Sequence, residues 1–454
     1  MMKRSLSQSA VRCASGMDVC HAAPIWTAQP DEKAFPRLTQ DLHIDVAIIG
    51  ADVCGITTAH LLKSAGFTVV VLEAETVGGA AATHASGVLD VTADQSLQHL
   101  SACWGQRKTA AILAGRSGAI DLIEANITQH ALHCDFARVP RIFYSTTTSD
   151  AEQSTIQTEA RIAQDCGLLA WLARDLPLPY MTGAALVIAQ QAQCDPRRYV
   201  RQLAKALASP QCQIVEHSPV IRLNAARRTL HTAAHTVRVK HIVMTTHSAP
   251  RWNASLIRLC PWQELAVAAP IESTHMAPAM GPAMEPAILC SVGEHATTTR
   301  LLQFGQQRYA LMTGEQHPLI HNTTNHATGS LRHAMLETRL QSSFLSDAVR
   351  FKWTNTYYPS ADGMPMLAHL PGALPIYLAG GFGQAGLVQG TLVAQRIAKA
   401  ICGLPDPWQD ICHGRNDSRI KRAIRAASHE LRRWFDESGK TNLRTAGHRS
   451  ASRP

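Results

Sequence analysis

The chain has 454 residues, 46% hydrophobic and 17% charged, which is typical of a globular protein with room for two packed units. The formal charge of +9 is concentrated in residues 411–454, so the nearly neutral body argues against a nucleic-acid partner. The longest uncharged stretch is broken by glycines and prolines and predicts no transmembrane segment. The twelve cysteines have no C-x-x-C pair or zinc-ligand spacing, which favours free thiols in a reducing, cytoplasmic compartment and no metal site.

Residues 1–40 predict an irregular N-terminal arm that contains Pro24, Pro30 and Pro36. The Ser- and Arg-rich start has no acidic residue before Asp18 and faintly resembles an organelle transit peptide. We favour the alternative interpretation, a disordered leader.

Residues 46–73 predict a strand–helix–strand unit. The apolar run VAIIG ends at Gly50, Gly55 opens the helical segment ITTAHLLKSAG, and FTVVVLE is a second strand that ends at Glu73. Glycines at the first turn and an acid about 20 residues later are typical of a site that binds a dinucleotide by its pyrophosphate and ribose.

The middle glycine of that turn is replaced by Asp52. Glycine at this position lets the backbone approach the pyrophosphate. A carboxylate about 5 Å from a phosphate charge would cost roughly 3 kcal/mol at an effective dielectric constant near 20. We therefore expect affinity for the dinucleotide to fall about a hundredfold, unless the side chain turns to solvent or is neutralised.

The middle of the chain contains several local signals. The small-residue stretch 77–91 cannot be helical throughout, whereas residues 105–128 show helical periodicity. Asp195 followed by Pro196 predicts a capped helix start. Two strand-like runs follow, at 213–223 and 237–246.

A second strand–turn–helix occurs near the end of the chain. Ile376 to Ala379 is a predicted strand, Gly380 to Gly386 a glycine-rich turn, and Leu387 to Cys402 a helix. A nicotinamide dehydrogenase needs only the first glycine turn, whereas a flavin enzyme uses two helix starts, one for the pyrophosphate and one for the reduced ring. Glu73 could bind a ribose diol and would repel the 2′-phosphate of NADP.

With these motifs the chain resembles the D-amino-acid-oxidase-type FAD-dependent oxidoreductases, which include sarcosine, glycine and gamma-glutamylputrescine oxidases. It is most similar to members that carry a C-terminal Rieske domain. We expect that domain to be absent here, because only Cys412-His413 occurs and no second Cys…His box follows. The similarity runs from about Pro24 to Trp408 and is carried by PIWTAQP, GADVCG, VLEAE, GGAAATHASG, AQCDPRRYVRQL, VIRL, TGEQHP, W-x-N-x-Y…DGMP and GGFGQAG.

The resemblance implies an α/β fold with a Rossmann-like FAD-binding domain and an inserted, mostly antiparallel substrate domain. We expect an N-terminal arm at 1–40 and a basic helical or disordered tail at 411–454, with a helix at 418–435. The FAD-binding domain would comprise 41–130, 195–250 and 353–410, and the substrate domain 131–194 and 251–352.

The resemblance also implies non-covalent FAD, because Trp353 lies where some relatives have a flavin-linking cysteine. The resemblance implies pyrophosphate contacts at Gly50, Val53, Cys54 and Gly55 and a ribose contact at Glu73. The backbone of Val220 would contact the adenine. The flavin ring would contact one loop at Ala81, Ala82 and Thr83 and the second turn at Gly381, Phe382 and Gly383.

The substrate side departs from the family pattern. Many amino-acid oxidases of this family have an arginine in a W-x-G-x-R-P motif, where this chain has Trp353-Thr354-Asn355-Thr356-Tyr357. Losing bidentate carboxylate recognition favours an amine or a blocked amino acid as the substrate. The candidate polar groups near that substrate are His84, Arg300, His317 and Tyr357.

We therefore expect oxidation of a C–N bond by hydride transfer to flavin N5, with dioxygen or another acceptor taking the electrons. One alternative is a catalytically impaired family member that acts as a binding or regulatory flavoprotein, which Asp52 and the missing arginine would explain. The other alternative is an NAD-dependent dehydrogenase.

Overall fold

A computed structural model describes residues 11–12, 19–28, 33–79, 81–93, 95–147, 149–174, 176, 183–245, 261–271, 286–293, 295–319, 326–344, 348–360, 362–370, 374–406 and 408. The expected tail helix at 418–435 and the Cys412-His413 pair lie outside the described residues. Within these ranges, no helix combines the length and the hydropathy needed to cross a bilayer.

The strands of the described residues are, in chain order, β1 (Val11–Arg12), β2 (Val19–Cys20), β3 (Leu42–Ile49), β4 (Val69–Leu72), β5 (Val88–Leu89), β6 (Ala137–Tyr144), β7 (Ala170–Ala173), β8 (Ala185–Gln193), β9 (Cys212–Val215), β10 (Arg222–Asn224), β11 (Thr229–His231), β12 (Thr236–Met244), β13 (Trp262–Pro270), β14 (Ile288–Ser291), β15 (Thr297–Phe304), β16 (Gln307–Pro318), β17 (Phe351–Tyr357), β18 (Met366–Leu370) and β19 (Ile376–Gly380). The α-helices are α1 (Val53–Ser64), α2 (Ala81–His84), α3 (Leu97–Trp104), α4 (Gln106–His130), α5 (Asp150–Asp165), α6 (Pro196–Leu207), α7 (His326–Phe344) and α8 (Gly386–Ile401).

The first sheet, called here the Rossmann-like sheet, has the order β10-β11-β12-β3-β4-β9, with β19 beside β12 and β18 beside β19. The strands β19, β12, β3, β4 and β9 run parallel. Val46 and Ile48 face a core that includes residues of α1 and α8, whereas Ala47 and Ile49 face a second core on the other side. Burial on both faces explains why β3 is a continuous apolar run in the sequence.

The register aligns the carboxyl ends of four parallel strands at one edge of this sheet. Ile49 of β3 pairs with Leu72 of β4 and with Met244 of β12, and Met244 also pairs with Leu378 of β19. Since β3 connects through α1 to β4 on one side and has β12 on the other, this edge is a topological switch point, where ligands bind in open α/β sheets. The loops that leave this edge contain Gly50, Glu73, Thr245 and Gly381.

The second sheet, called here the antiparallel sheet, has the order β17-β13-β16-β15-β14-β6-β8-β5, with β7 beside β8. Its pairs are antiparallel except β14 with β6. The structure therefore confirms the α/β fold class with a mostly antiparallel second unit.

Two strands of the antiparallel sheet fall in segments that we predict for the FAD-binding domain. The boundary at residue 353 cuts through β17, which pairs along Phe351–Tyr357 with β13, and β5 pairs with β8. Burial alternates along β17, as in a strand that covers a core with one face. The segment 353–357 thus belongs to the antiparallel sheet, and the remaining domain boundaries stay a prediction.

Candidate active site

The first glycine turn is closely packed. Gly50 has φ +106°, a conformation that favours glycine. A Cβ atom on Gly55 would lie 2.0 Å from the Gly50 carbonyl oxygen, so only glycine fits the first turn of α1 here. The Thr245 hydroxyl, which follows β12, donates a hydrogen bond to that same carbonyl at 3.2 Å. The turn is thus fixed by contacts that reach across the sheet.

Helix α8 packs directly against the start of α1. A Cβ atom on Gly390 would lie 2.8 Å from Cγ1 of Val53, so glycine at this position permits the close approach of the two helices. The second glycine turn leads into α8 and is anchored by the Gly383 N–H, which donates to the Tyr358 carbonyl at 3.2 Å. The N-termini of α1 and α8, each with a partial positive charge, therefore meet at one place.

Both turns line a single cleft. Its walls contain the start of α1, the α2 segment, the residue after β12, part of β17 and the second glycine turn. The described lining residues are Asp52, Val53, Cys54, Ala81, Ala82, Ala85, Thr245, Asn355, Tyr357, Phe382, Gly383, Gln384, Gly386 and Leu387.

Asp52 occupies the N-cap of α1 in an extended backbone conformation. Its Oδ1 accepts a hydrogen bond from the Val53 N–H at 2.7 Å, and its Oδ2 accepts one from the Ala82 N–H at 3.1 Å. One carboxylate therefore links the start of α1 to α2. The side chain does not point away from the turn, which is one of the outcomes that the sequence left open.

Glu73 lies at the end of β4, one strand away. Its Oε2 accepts from the Ala51 N–H at 2.8 Å and its Oε1 from the Glu75 N–H at 2.9 Å. Burial raises the pKa of Glu73, and the nearby charge of Asp52 acts in the same direction. Each carboxylate oxygen still has a lone pair that could accept a hydrogen bond from a ribose hydroxyl.

A polar wall lies behind the cleft on the antiparallel sheet. Glu264 of β13 is 1% exposed, and its Oε1 accepts hydrogen bonds from the side-chain amides of Gln384 and Gln316. A β-bulge places Gln316 beside Glu264, because Glu315, at φ +53°, and Gln316 together lie opposite Glu264 in the register of β13 and β16. Burial raises the pKa of Glu264, whereas these hydrogen bonds lower it.

Several expected site residues lie elsewhere. Arg300 is 2% exposed, donates to the Gly87 carbonyl at 2.9 Å, and lies 5.1 Å over the Trp26 ring, where it lines a separate cavity. His317 Nδ1 is 2.8 Å from the Glu315 carbonyl oxygen, and because a carbonyl oxygen only accepts, Nδ1 must donate this hydrogen bond. Neither Arg300 nor His317 lines the cleft, whereas Tyr357 does.

Of the other expected residues, Val53, Cys54, Ala81, Ala82, Phe382 and Gly383 line the cleft, and the rest lie outside its lining. The His84 carbonyl accepts from the Trp353 indole N–H at 2.9 Å, and the Thr83 hydroxyl donates to the Gly78 carbonyl at 2.6 Å. Val220 is half-buried against the core on the other face of the Rossmann-like sheet. Gly381, at φ +70°, shapes the second turn without lining the cleft.

Sequence reasoning missed Thr245, Glu264 and Gln384. Thr245 lies at the end of the predicted strand-like run 237–246, near the sheet edge where sites often form, so it carried a weak sequence signal. Glu264 and Gln384 come together through a contact between segments 120 residues apart.

Residues 45–400 match the family of FAD dependent oxidoreductases, DAO. The chain belongs to this family. The Bacillus subtilis protein YhfW, named as a Rieske 2Fe-2S iron-sulfur protein, is 22% identical over 389 residues, which cover 85% of this chain and 74% of that protein. The match confirms the similarity to Rieske-type members.

Two solved structures share the fold. Glycine oxidase from Geobacillus kaustophilus has a TM-score of 0.63 and 17% identity, covering 81% of this chain and 96% of that chain. L-proline dehydrogenase from P. horikoshii has a TM-score of 0.63 and 16% identity, covering 81% and 95%.

The residues present fit FAD at both ends of its binding region. Only Gly50 and Gly55 of the first turn lack a Cβ, which lets the turn pack closely at the start of α1, and Glu73 offers acceptors to a ribose. The second turn and α2 enclose the other end of the cleft. Asp52, between these ends, does not fit FAD in the same way, because its carboxylate already accepts from two N–H groups.

Proposed function

We propose that this protein is an FAD-dependent amine oxidoreductase that oxidises a C–N bond of a small amine or blocked amino acid. The proposal rests on one observation: two glycine turns more than 300 residues apart line the same cleft. A nicotinamide enzyme needs only the first of them. FAD, when bound, supplies the hydride acceptor, flavin N5.

The two turns would divide the cofactor between them. The start of α1, with Gly50, Val53, Cys54 and Gly55, would hold the pyrophosphate by its N–H groups, and Glu73 would bind the ribose. The backbone of Val220 would contact the adenine. The ring would lie, non-covalently, between the loop of Ala81, Ala82 and Thr83 and the turn of Gly381, Phe382 and Gly383.

The substrate side favours a neutral amine. The described residues that line the cleft include no Lys, Arg or His, so a substrate carboxylate finds no cationic partner there. The nearby Arg141 forms an ion pair with Asp90 in an adjoining cavity. The Gln384 amide, held by Glu264, and the buried Asn355 supply neutral hydrogen-bonding groups instead.

Burial raises the pKa of the Cys54 thiol, so Cys54 stays neutral and adds no negative charge beside the cofactor phosphates. No general base is required if the amine binds deprotonated, because the chain then only has to orient it and exclude water. The oxidase and the dehydrogenase among the structural relatives are both named for amino acids, which supports C–N oxidation. The electrons would then pass to dioxygen or to another acceptor.

A second candidate function, a catalytically impaired flavin-binding or regulatory protein, is favoured by one observation. The Asp52 carboxylate accepts from the Val53 N–H, which the pyrophosphate would use, and from the Ala82 N–H, beside the proposed ring site.

A visible spectrum of the purified protein, followed by anaerobic addition of candidate amines, separates these functions. Flavin bands that bleach with one amine, and not with the matching free amino acid, would support the proposed oxidation. Flavin bands that no amine bleaches would favour the impaired protein. Protein that stays colourless with excess FAD, but melts at a higher temperature with NADH, would indicate a dehydrogenase, because a ligand specific for the folded state stabilises it.

A further inference from the structure

Asp52 connects two segments that flank the proposed cofactor region. Its two carboxylate oxygens accept from the first N–H of α1 and from the Ala82 N–H of α2. An ordinary N-cap side chain accepts from the second or third residue of its own helix. Here the carboxylate instead spans two helices, so it acts as an anion placed between them.

The surroundings do not neutralise this charge by ion pairing within the described part of the chain. The described ion pairs leave Asp52 without a Lys or Arg partner, and the lining residues of the cleft supply none. Glu73, a second carboxylate, is close enough for the Asp52 charge to raise its pKa. Helix α1 therefore compensates the Asp52 charge with its N-terminal N–H groups.

We propose that the Asp52 carboxylate is an internal competitor of FAD, competing with the pyrophosphate for the Val53 N–H and with the flavin ring for the Ala82 N–H. This inference rests on the proposed function. Binding FAD would require the carboxylate to release both N–H groups and to move away from the phosphate charges. The same two hydrogen bonds hold α1 to α2, so they stabilise the protein when FAD is absent. Asp52 thus makes FAD binding weak and reversible.

Two variants separate the charge from the hydrogen bonds. Asp52→Gly removes both, and Asp52→Asn removes the charge but keeps one acceptor oxygen. Asp41→Asn makes the same charge change at the opposite end of β3, where the Asp41 side chain accepts from the Thr236 N–H, and is the control. Bound flavin is first removed by dialysis, and FAD affinity is then measured for each full-length protein by quenching of flavin fluorescence.

The expected FAD dissociation constant is about a hundredfold lower for Asp52→Asn, which removes the charge, and lower still for Asp52→Gly, which also removes the competing acceptor, with Asp41→Asn within twofold of the wild type. Without FAD, Asp52→Gly should melt at a lower temperature than the wild type, and Asp52→Asn should fall between them.

Equal or weaker FAD binding by both Asp52 variants would overturn the inference while leaving the proposed function intact. Failure of every variant to bind FAD at millimolar concentration would overturn both. If Asp52→Gly does not fold, the Asp52→Asn result alone decides.

Discussion

Replacing Gly55 by alanine tests the packing of the first glycine turn. The added Cβ would lie 2.0 Å from the Gly50 carbonyl oxygen and 3.0 Å from the Thr245 hydroxyl oxygen. Contacts below 3.0 Å are essentially never observed for Cβ atoms, so the turn must open by about 1 Å or more. The clash is with backbone, which cannot rotate aside as a side chain can.

Overpacking of this kind costs about 1–3 kcal/mol. For a chain of this length that lowers the melting temperature by about 1–3 °C, and opening the turn should weaken FAD binding by at least tenfold. The assays are thermal unfolding followed by circular dichroism and FAD titration followed by fluorescence.

Gly118→Ala is the matched control, because Gly118 also lies in a helix and its Cβ would meet nothing within 4 Å. It should stabilise the protein by about 0.5–1 kcal/mol and leave FAD affinity unchanged. The packing argument is refuted if Gly55→Ala behaves like Gly118→Ala in both assays.

Three further predictions concern groups that hold the site. Asp195 caps α6 by accepting from the Arg198 N–H, and burial raises the pKa of its carboxyl to about 6. Because the unfolded chain ionises this group at lower pH than the folded protein does, the free energy of unfolding should fall as pH rises from about 4 to about 6. Asp195→Asn keeps the cap and should remove this loss of unfolding free energy, which is on the order of 2 kcal/mol, when urea unfolding is measured across the pH range. The same dependence of unfolding free energy on pH as in the wild type would contradict the prediction. Thr245→Val should lower FAD affinity severalfold by removing the hydroxyl that donates to Gly50, with recovery in Thr245→Ser; failure of serine to restore affinity would show that the hydroxyl is not responsible. Trp353→Phe loses the hydrogen bond to the His84 carbonyl and should cost about 1–3 kcal/mol of unfolding free energy, measured by urea unfolding; no change would show that this bond does not hold α2.

Local patterns predicted much of the fold. The apolar run of β3 is buried on both faces, and Asp195 caps a helix with Pro196 in its first turn, as the sequence indicated. Periodicity also predicted α4, which spans Gln106–His130. These features depend on neighbours in the chain, so the sequence contains their full signal.

The candidate site was less predictable, because its polar groups come together over long distances. Arg300 is charged and central in the sequence, yet it packs on Trp26 in another cavity. Glu264 meets Gln384 across 120 residues of sequence, and Gln316 reaches Glu264 at a β-bulge. The boundary at 353 could have been improved, since the buried Phe351, Trp353, Asn355 and Tyr357 alternate with partly buried positions, as in a strand that covers a core with one face.

A crystal structure of the full chain grown with excess FAD tests the central claim most directly. We predict that the pyrophosphate lies at the start of α1, with the Asp52 side chain displaced, and that the flavin ring lies between Ala81–Thr83 and Gly381–Gly383. FAD bound at another place, or a cleft that excludes FAD while the two turns stay in contact, would contradict the claim.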